Sequence, residues 1–197
     1  MQNIHNAIAY PTIAIAVLTA VLFAGELRFS AENIDVVLYP PDTVEVTGEY
    51  FFTSSDGTGC RQKVIYPVPV DSGAQYPFYF SVRREGDTTE VAFDRIAKGI
   101  AFGVDVPKGD TAAITVIYRQ RFSGNAGRYI LTTTSYWGRP LENSTYTIRV
   151  PANTTLNYLS YECDTVYMAG KDLIYSFYKK RFMPDRDLMF TWERAEE

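Results

Sequence analysis

The sequence predicts an all-β fold: an antiparallel β-sandwich, immunoglobulin-like or related, of about 10–11 strands, preceded by an N-terminal hydrophobic helix. Three observations lead there. Apolar and polar residues alternate with period two along almost the whole chain beyond Ile34. Aromatic residues are abundant, with fifteen Tyr and twelve Phe, and such side chains suit a pleated, half-buried surface. Turn residues punctuate the chain at intervals of roughly 10 to 15 residues, the spacing of short antiparallel strands.

The helix comes first. No charged side chain occurs between Ala7 and Gly25, and all nineteen Lys and Arg residues follow Glu26. That run is long enough to cross a hydrocarbon core of about 30 Å, and Thr12 and Thr19 alone make no polar stripe. Residues 1–27 therefore read as a signal-anchor or a signal peptide, and residues 28–197 as one β domain. The retained anchor is preferred. Cuts after Ala20, Ala24 or Ala31 would leave bulky Leu18, Leu22 or Phe29 at the −3 position, where a signal peptidase needs a small residue. Ala16, Ala20 and Ala24 share a helical face, the spacing that lets membrane helices approach closely. Either way, the domain is expected on the extracytoplasmic side.

The strands follow in order. "TVEVTGEYFFTSS" sets Val44, Val46, Tyr50 and Phe52 on one face, with Gly48 among them, marking a bulge or close packing. Asp56-Gly57 is a tight-turn signal. The return strand "CRQKVIYPVPV" carries Pro67 and Pro69, so it ends there or runs along an edge. Further strands are expected at "YPFYFSVRRE", "TTEVAFDRI", "GIAFGVDV", "TAAITVIYRQRF", "RYILTTTSYW", "STYTIRV", "LNYLSYEC", "LIYSFYKKRF" and "LMFTWE". No internal repeat or interdomain linker interrupts them.

Two cysteines, Cys60 and Cys163, form an even count in an exported domain, and a disulfide between them is expected.

Composition also excludes chemistries. The single histidine, His5, precedes the apolar run, so the domain has no Ser-His or Cys-His nucleophile and no imidazole metal site. No catalytic, cofactor-binding or metal-ligating residue is assigned, and no cofactor is expected. "SFYK", from Ser176 to Lys179, has Ser-x-x-Lys spacing but lies in a strand-like stretch. Glu90, Asp94, Glu142 and Glu162 are scattered rather than paired. Asp164, Asp172, Asp185 and Asp187 lack the loop of an EF-hand. Asn143 and Asn153 begin sequons. Tyr158, Tyr161, Tyr167, Tyr175 and Tyr178 are available for an aromatic face or for the core. The net charge of −4, without a basic stripe, excludes nucleic acid as a partner.

The segment "VEVTGEYFFTSS…CRQKVIYPVPV", with the later "VPKGDTAAITVIYRQRF", resembles the early strands of vault/inter-alpha-trypsin-type domains and strings in uncharacterised bacterial envelope proteins. The shared features are a strand, a return strand ending in an aromatic-and-proline turn, and a later strand closing on a Y-x-Q motif. The resemblance implies an exported interaction module rather than an enzyme. The expectation is therefore a membrane-anchored or secreted binding or scaffolding module with a protein partner in the cell envelope. A carbohydrate-binding or carbohydrate-acting domain, or an accessory subunit of a larger membrane complex, is the alternative.

Overall fold

In the computed structural model, residues 25–86 and 89–194 are described. The expected N-terminal helix, with Ala16, Ala20 and Ala24, lies outside them. Among the described residues no helix is long and apolar enough to cross a membrane.

Strand β1 (Leu27–Tyr39) lies at the centre and shows how the sequence builds the core. Leu27 and Phe29 are buried, and strict alternation would bury Ala31 and Asn33 next. Instead a β-bulge between Phe29 and Ala31 inserts Ser30 against β2 (Thr43–Ser54). The Ser30 hydroxyl donates to the Phe51 carbonyl (2.9 Å). One extra residue reverses the parity of the strand. Glu32, Ile34, Val36 and Leu38 therefore point inward.

The remaining strands are β3 (Cys60–Pro67), β4 (Tyr79–Arg84), β5 (Phe93–Ile96), β6 (Gly99–Val106), β7 (Thr111–Arg121) and β8 (Ala126–Tyr129), then β9 (Leu141–Pro151), β10 (Thr154–Leu159), β11 (Thr165–Ala169), β12 (Asp172–Phe182) and β13 (Leu188–Arg194). Seven of them form one sheet in the order β11-β12-β9-β1-β2-β7-β4. Two three-stranded sheets, β3-β6-β5 and β10-β13-β8, complete an all-β, sandwich-like architecture. Val36, Val46, Val116, Ile148 and Phe177 of the large sheet are buried together with Val104, Phe190 and Trp192 of the small ones.

Several expectations are corrected. Thirteen strands occur among the described residues, the additions being β1 and β11. Pairing is not wholly antiparallel, because β1 runs parallel to β9. "RYILTTTSYW" is not one strand. It divides into the end of β8 and a 3-10 helix at Thr132–Trp137, closed by Gly138 at φ 67°. The "TTEVAFDRI" stretch contributes only the four residues of β5. As expected, β3 is an edge strand that ends at Pro67.

The expected disulfide is not seen, and both cysteines are free thiols. Cys60 opens β3 opposite Val106, with Asp56 and Asp105 nearby, whereas Cys163 lies between β10 and β11 near Asp164 and Lys179. The two thiols belong to different neighbourhoods of the sandwich. Burial raises the pKa of each, which makes them weak nucleophiles.

Candidate functional site

Three chain segments enclose a groove of about 710 Å³: the start of β1, the edge strand β3, and the 3-10 helix with the residues that follow it. Local chemistry fixes each wall. Asp187 holds the 3-10 helix, its Oδ1 accepting from the backbone N–H of Leu131 (3.0 Å) and Thr132 (3.1 Å) and from the Thr132 hydroxyl (2.8 Å). These are the donors a helix start leaves unpaired. Trp137 anchors the other end, its ring 5.7 Å from Phe29 and 5.8 Å from Phe52. The hairpin leading to β3 is tied by Asp56, which accepts from Ser54 and twice from Thr58. These hydrogen bonds pull the Asp56 carboxyl down to about 2.

The groove is predominantly basic. Arg28, Lys63 and Arg139 line it, against Glu26. Lys63 is paired with Asp94 at 2.6 Å. The guanidinium groups of Arg28 and Arg139 make no hydrogen bond or ion pair among the described residues.

Behind the groove lies a smaller cavity of about 60 Å³, and Val64, Ile65, Pro67, Thr133 and Trp137 line both spaces. The cavity reaches Glu32, which is 2% exposed. Glu32 Oε1 accepts from the Tyr146 hydroxyl at 2.6 Å, while Oε2 lies 3.5 Å from the Tyr129 hydroxyl. The Tyr50 hydroxyl shares hydrogen bonds with those of Tyr129 and Tyr66, each 2.8 Å. Gly48 makes this network possible: a Cβ there would lie 2.0 Å from the Tyr50 hydroxyl.

Electrostatics follow from burial. Desolvation pushes the Glu32 carboxyl up to about 7, opposed by the hydrogen bonds from Tyr146 and Tyr129. The phenols of Tyr50, Tyr66, Tyr129 and Tyr146 are all raised, first by burial. The cluster thus combines one carboxyl titrating near neutrality with four phenols that stay protonated.

The residues singled out from sequence are not brought together here. Asp94 pairs with Lys63, and Glu90 lies 3.9 Å from Arg83; Glu142 and Glu162 are exposed. Ser176 and Lys179 lie three apart on β12, so they face opposite sides of the sheet. Asp164 accepts from the Tyr178 backbone N–H, Asp172 lies 3.9 Å from Arg149, and Asp185 pairs with Arg186. No cluster of three or more potential metal ligands occurs among the described residues. Of the five tyrosines, Tyr161 is buried, Tyr175 half-buried, and Tyr158, Tyr167 and Tyr178 exposed. Sequence reasoning missed Arg28, Trp137, Arg139 and Glu32. Glu32 carries no distinct signal in the sequence: it is one of two acids on β1, with Asp35, and only the bulge after Phe29 turns it inward.

No protein-family profile and no curated protein matches the chain. Solved structures do resemble it. A Legionella pneumophila protein, provisionally described as a nutrient binding protein, superimposes with a TM-score of 0.65 at 15% identity over 85% of this chain and 67% of its own. An M1 zinc metallopeptidase from Deinococcus radiodurans gives 0.52 at 12% identity over 85% of this chain, but only 43% of the peptidase. The chain therefore spans less than half of that enzyme. At such identities the likeness is one of fold.

Proposed function

We propose that this protein is a membrane-anchored binding module of the cell envelope, without enzymatic activity, whose ligand site is the groove between β1, β3 and the 3-10 helix. One observation carries the reading: a concave space of about 710 Å³, within the range of small-ligand sites, presents two guanidinium groups that have no partner among the described residues. Arg28 and Arg139 favour a ligand with an anionic group, since carboxylates and phosphates match the guanidinium fork. A nutrient-binding role, the one in the Legionella protein's description, accords with such a groove.

The apolar run Ala7–Gly25 supports the anchor, with the β domain on the extracytoplasmic side and a protein partner in the envelope. The vault/inter-alpha-trypsin-type resemblance of "VEVTGEYFFTSS" and its companions fits an exported interaction module. A carbohydrate ligand is the second reading. Tyr136, 88% exposed in the groove wall, offers a ring on which a sugar could stack.

The test is thermal unfolding of the full-length protein, purified in a non-ionic detergent, against panels of small carboxylates, amino acids and neutral sugars. Anionic compounds are expected to raise the Tm, and Arg28→Glu with Arg139→Glu to abolish that gain without lowering the ligand-free Tm. Sugars stabilising in place of anions would transfer the groove to the second reading. No stabilisation by any compound would refute the groove as a ligand site.

A further inference from the structure

Glu32 is a buried carboxylate with no cation beside it among the described residues. Every partner it has among the described residues is a phenol: Tyr146 at Oε1, and Tyr129 at a long 3.5 Å from Oε2. An ionised carboxylate held this way is costly unless a positive charge compensates it. Oε2 retains acceptor capacity, and Glu32 lines the 60 Å³ cavity.

The remaining lining suits a cation. Phe29, Tyr50, Phe52, Tyr66, Tyr129 and Trp137 contribute rings to the cavity, and ring faces attract ammonium groups. An anion would be repelled by the carboxylate, and a neutral group would leave it uncompensated. Hydrogen bonding narrows the choice further. The acceptor capacity left on Oε2 calls for an N–H donor, which a primary ammonium supplies and a trimethylammonium head lacks.

We propose that this cavity binds a primary ammonium group, and that the groove's ligand is an amino acid-like compound whose amine reaches Glu32 while its acidic group meets Arg28 and Arg139. The amine would enter where Thr133 and Trp137 face Val64, Ile65 and Pro67, the residues common to both spaces. This inference rests on the groove being a ligand site. The titratable groups facing Glu32 are Tyr50 on β2, Tyr66 on β3, Tyr129 on β8 and Tyr146 on β9, all phenols with raised pKa. In the working pH range, Glu32 is therefore the titrating member of the cluster. Binding of an ammonium favours its ionised form and expels its proton.

The experiment is calorimetric titration of the full-length protein in detergent with butylamine, hexanoate, 6-aminohexanoate and tetramethylammonium. Butylamine and 6-aminohexanoate are expected to bind, the latter more tightly, and tetramethylammonium is not. Glu32→Gln should weaken both amines at least tenfold while leaving hexanoate unchanged. In wild-type protein at pH 7, paired buffers of different ionisation enthalpy should report release of about half a proton per amine, since the carboxyl titrates near 7. This readout needs no variant, so a misfolded Glu32→Gln protein leaves the proposal testable. Hexanoate binding with no amine binding, or amine binding without proton release, would overturn the ammonium site and leave the groove reading standing. Absence of binding by all four compounds would overturn the ammonium site and count against the groove as well.

Discussion

Replacing Glu32 by glutamine should change how stability depends on pH, by an amount that can be worked from the buried site. The folded carboxyl titrates near 7 against an ordinary value of 4.5, chiefly because it is desolvated. Between those values the folded chain holds a proton that the unfolded chain has lost, so raising the pH favours unfolding. The contribution is fully present below pH 4.5 and lost as pH rises through 7. At about 1.4 kcal/mol per pKa unit, the loss totals about 3 kcal/mol. The glutamine side chain of the Glu32→Gln variant would not titrate, and its amide oxygen can still accept from Tyr146. The assay is urea unfolding of both proteins from pH 4 to pH 8, followed by the fluorescence of Trp137 and Trp192 together. Subtracting the two curves cancels every other titrating group. The advantage of wild type over variant should fall by about 3 kcal/mol across the range. A difference that stays constant within about 0.5 kcal/mol would mean that the carboxyl ionises as it does in water, and the desolvation argument would fail. If the variant does not fold, a carbon-13 titration of the wild-type carboxyl decides the same point.

Two structural predictions accompany it. Gly48→Ala should destabilise by about 1–2 kcal/mol in thermal melts, because the new Cβ displaces a Tyr50 hydroxyl that Tyr66 and Tyr129 hold in place; an unchanged Tm would show that Tyr50 can move freely. Asp187→Ala should cost about 1–2 kcal/mol, as loss of a helix cap does, and should speed amide exchange at Leu131 and Thr132. Unaltered exchange there would remove Asp187 from its role in forming the groove.

The all-β fold was legible because its signal is local. Alternation in "TVEVTGEYFFTSS" predicts the buried face of β2, and Pro67 predicts where β3 stops. Gly48 was legible as a close-packing position, though the ring that covers it was not. The parallel β1–β9 pairing was hidden, since residues 31–37 and 143–149 meet across more than a hundred positions of chain. The 3-10 helix was hidden for another reason. "TTTSYW" is rich in residues that favour strands, and what folds it instead is a remote carboxylate, Asp187. Asp187 itself stood among acids considered for calcium, because sequence shows a side chain's chemistry but not which backbone donors it will meet. The Y-x-Q end of β7 gains a physical meaning only in three dimensions. Gln120, fully buried, donates to the carbonyls of Pro69 and Gln75 and ties down the proline loop.

The site as a whole turns on one inserted residue. Without the bulge at Ser30, the parity set by Leu27 and Phe29 would place Asn33 toward the core and turn Glu32 outward, and the phenols of Tyr129 and Tyr146 would have no carboxyl to meet. With it, seven consecutive residues do two different jobs. Glu26, Leu27 and Arg28 line the groove, and Glu32 closes the cavity behind it. A guanidinium that favours an anion and a carboxyl that favours a cation thus stand on the same strand, four residues apart. If the apolar run is the anchor proposed above, this strand begins within a few residues of its end. The ligand would then be taken up close to the membrane surface.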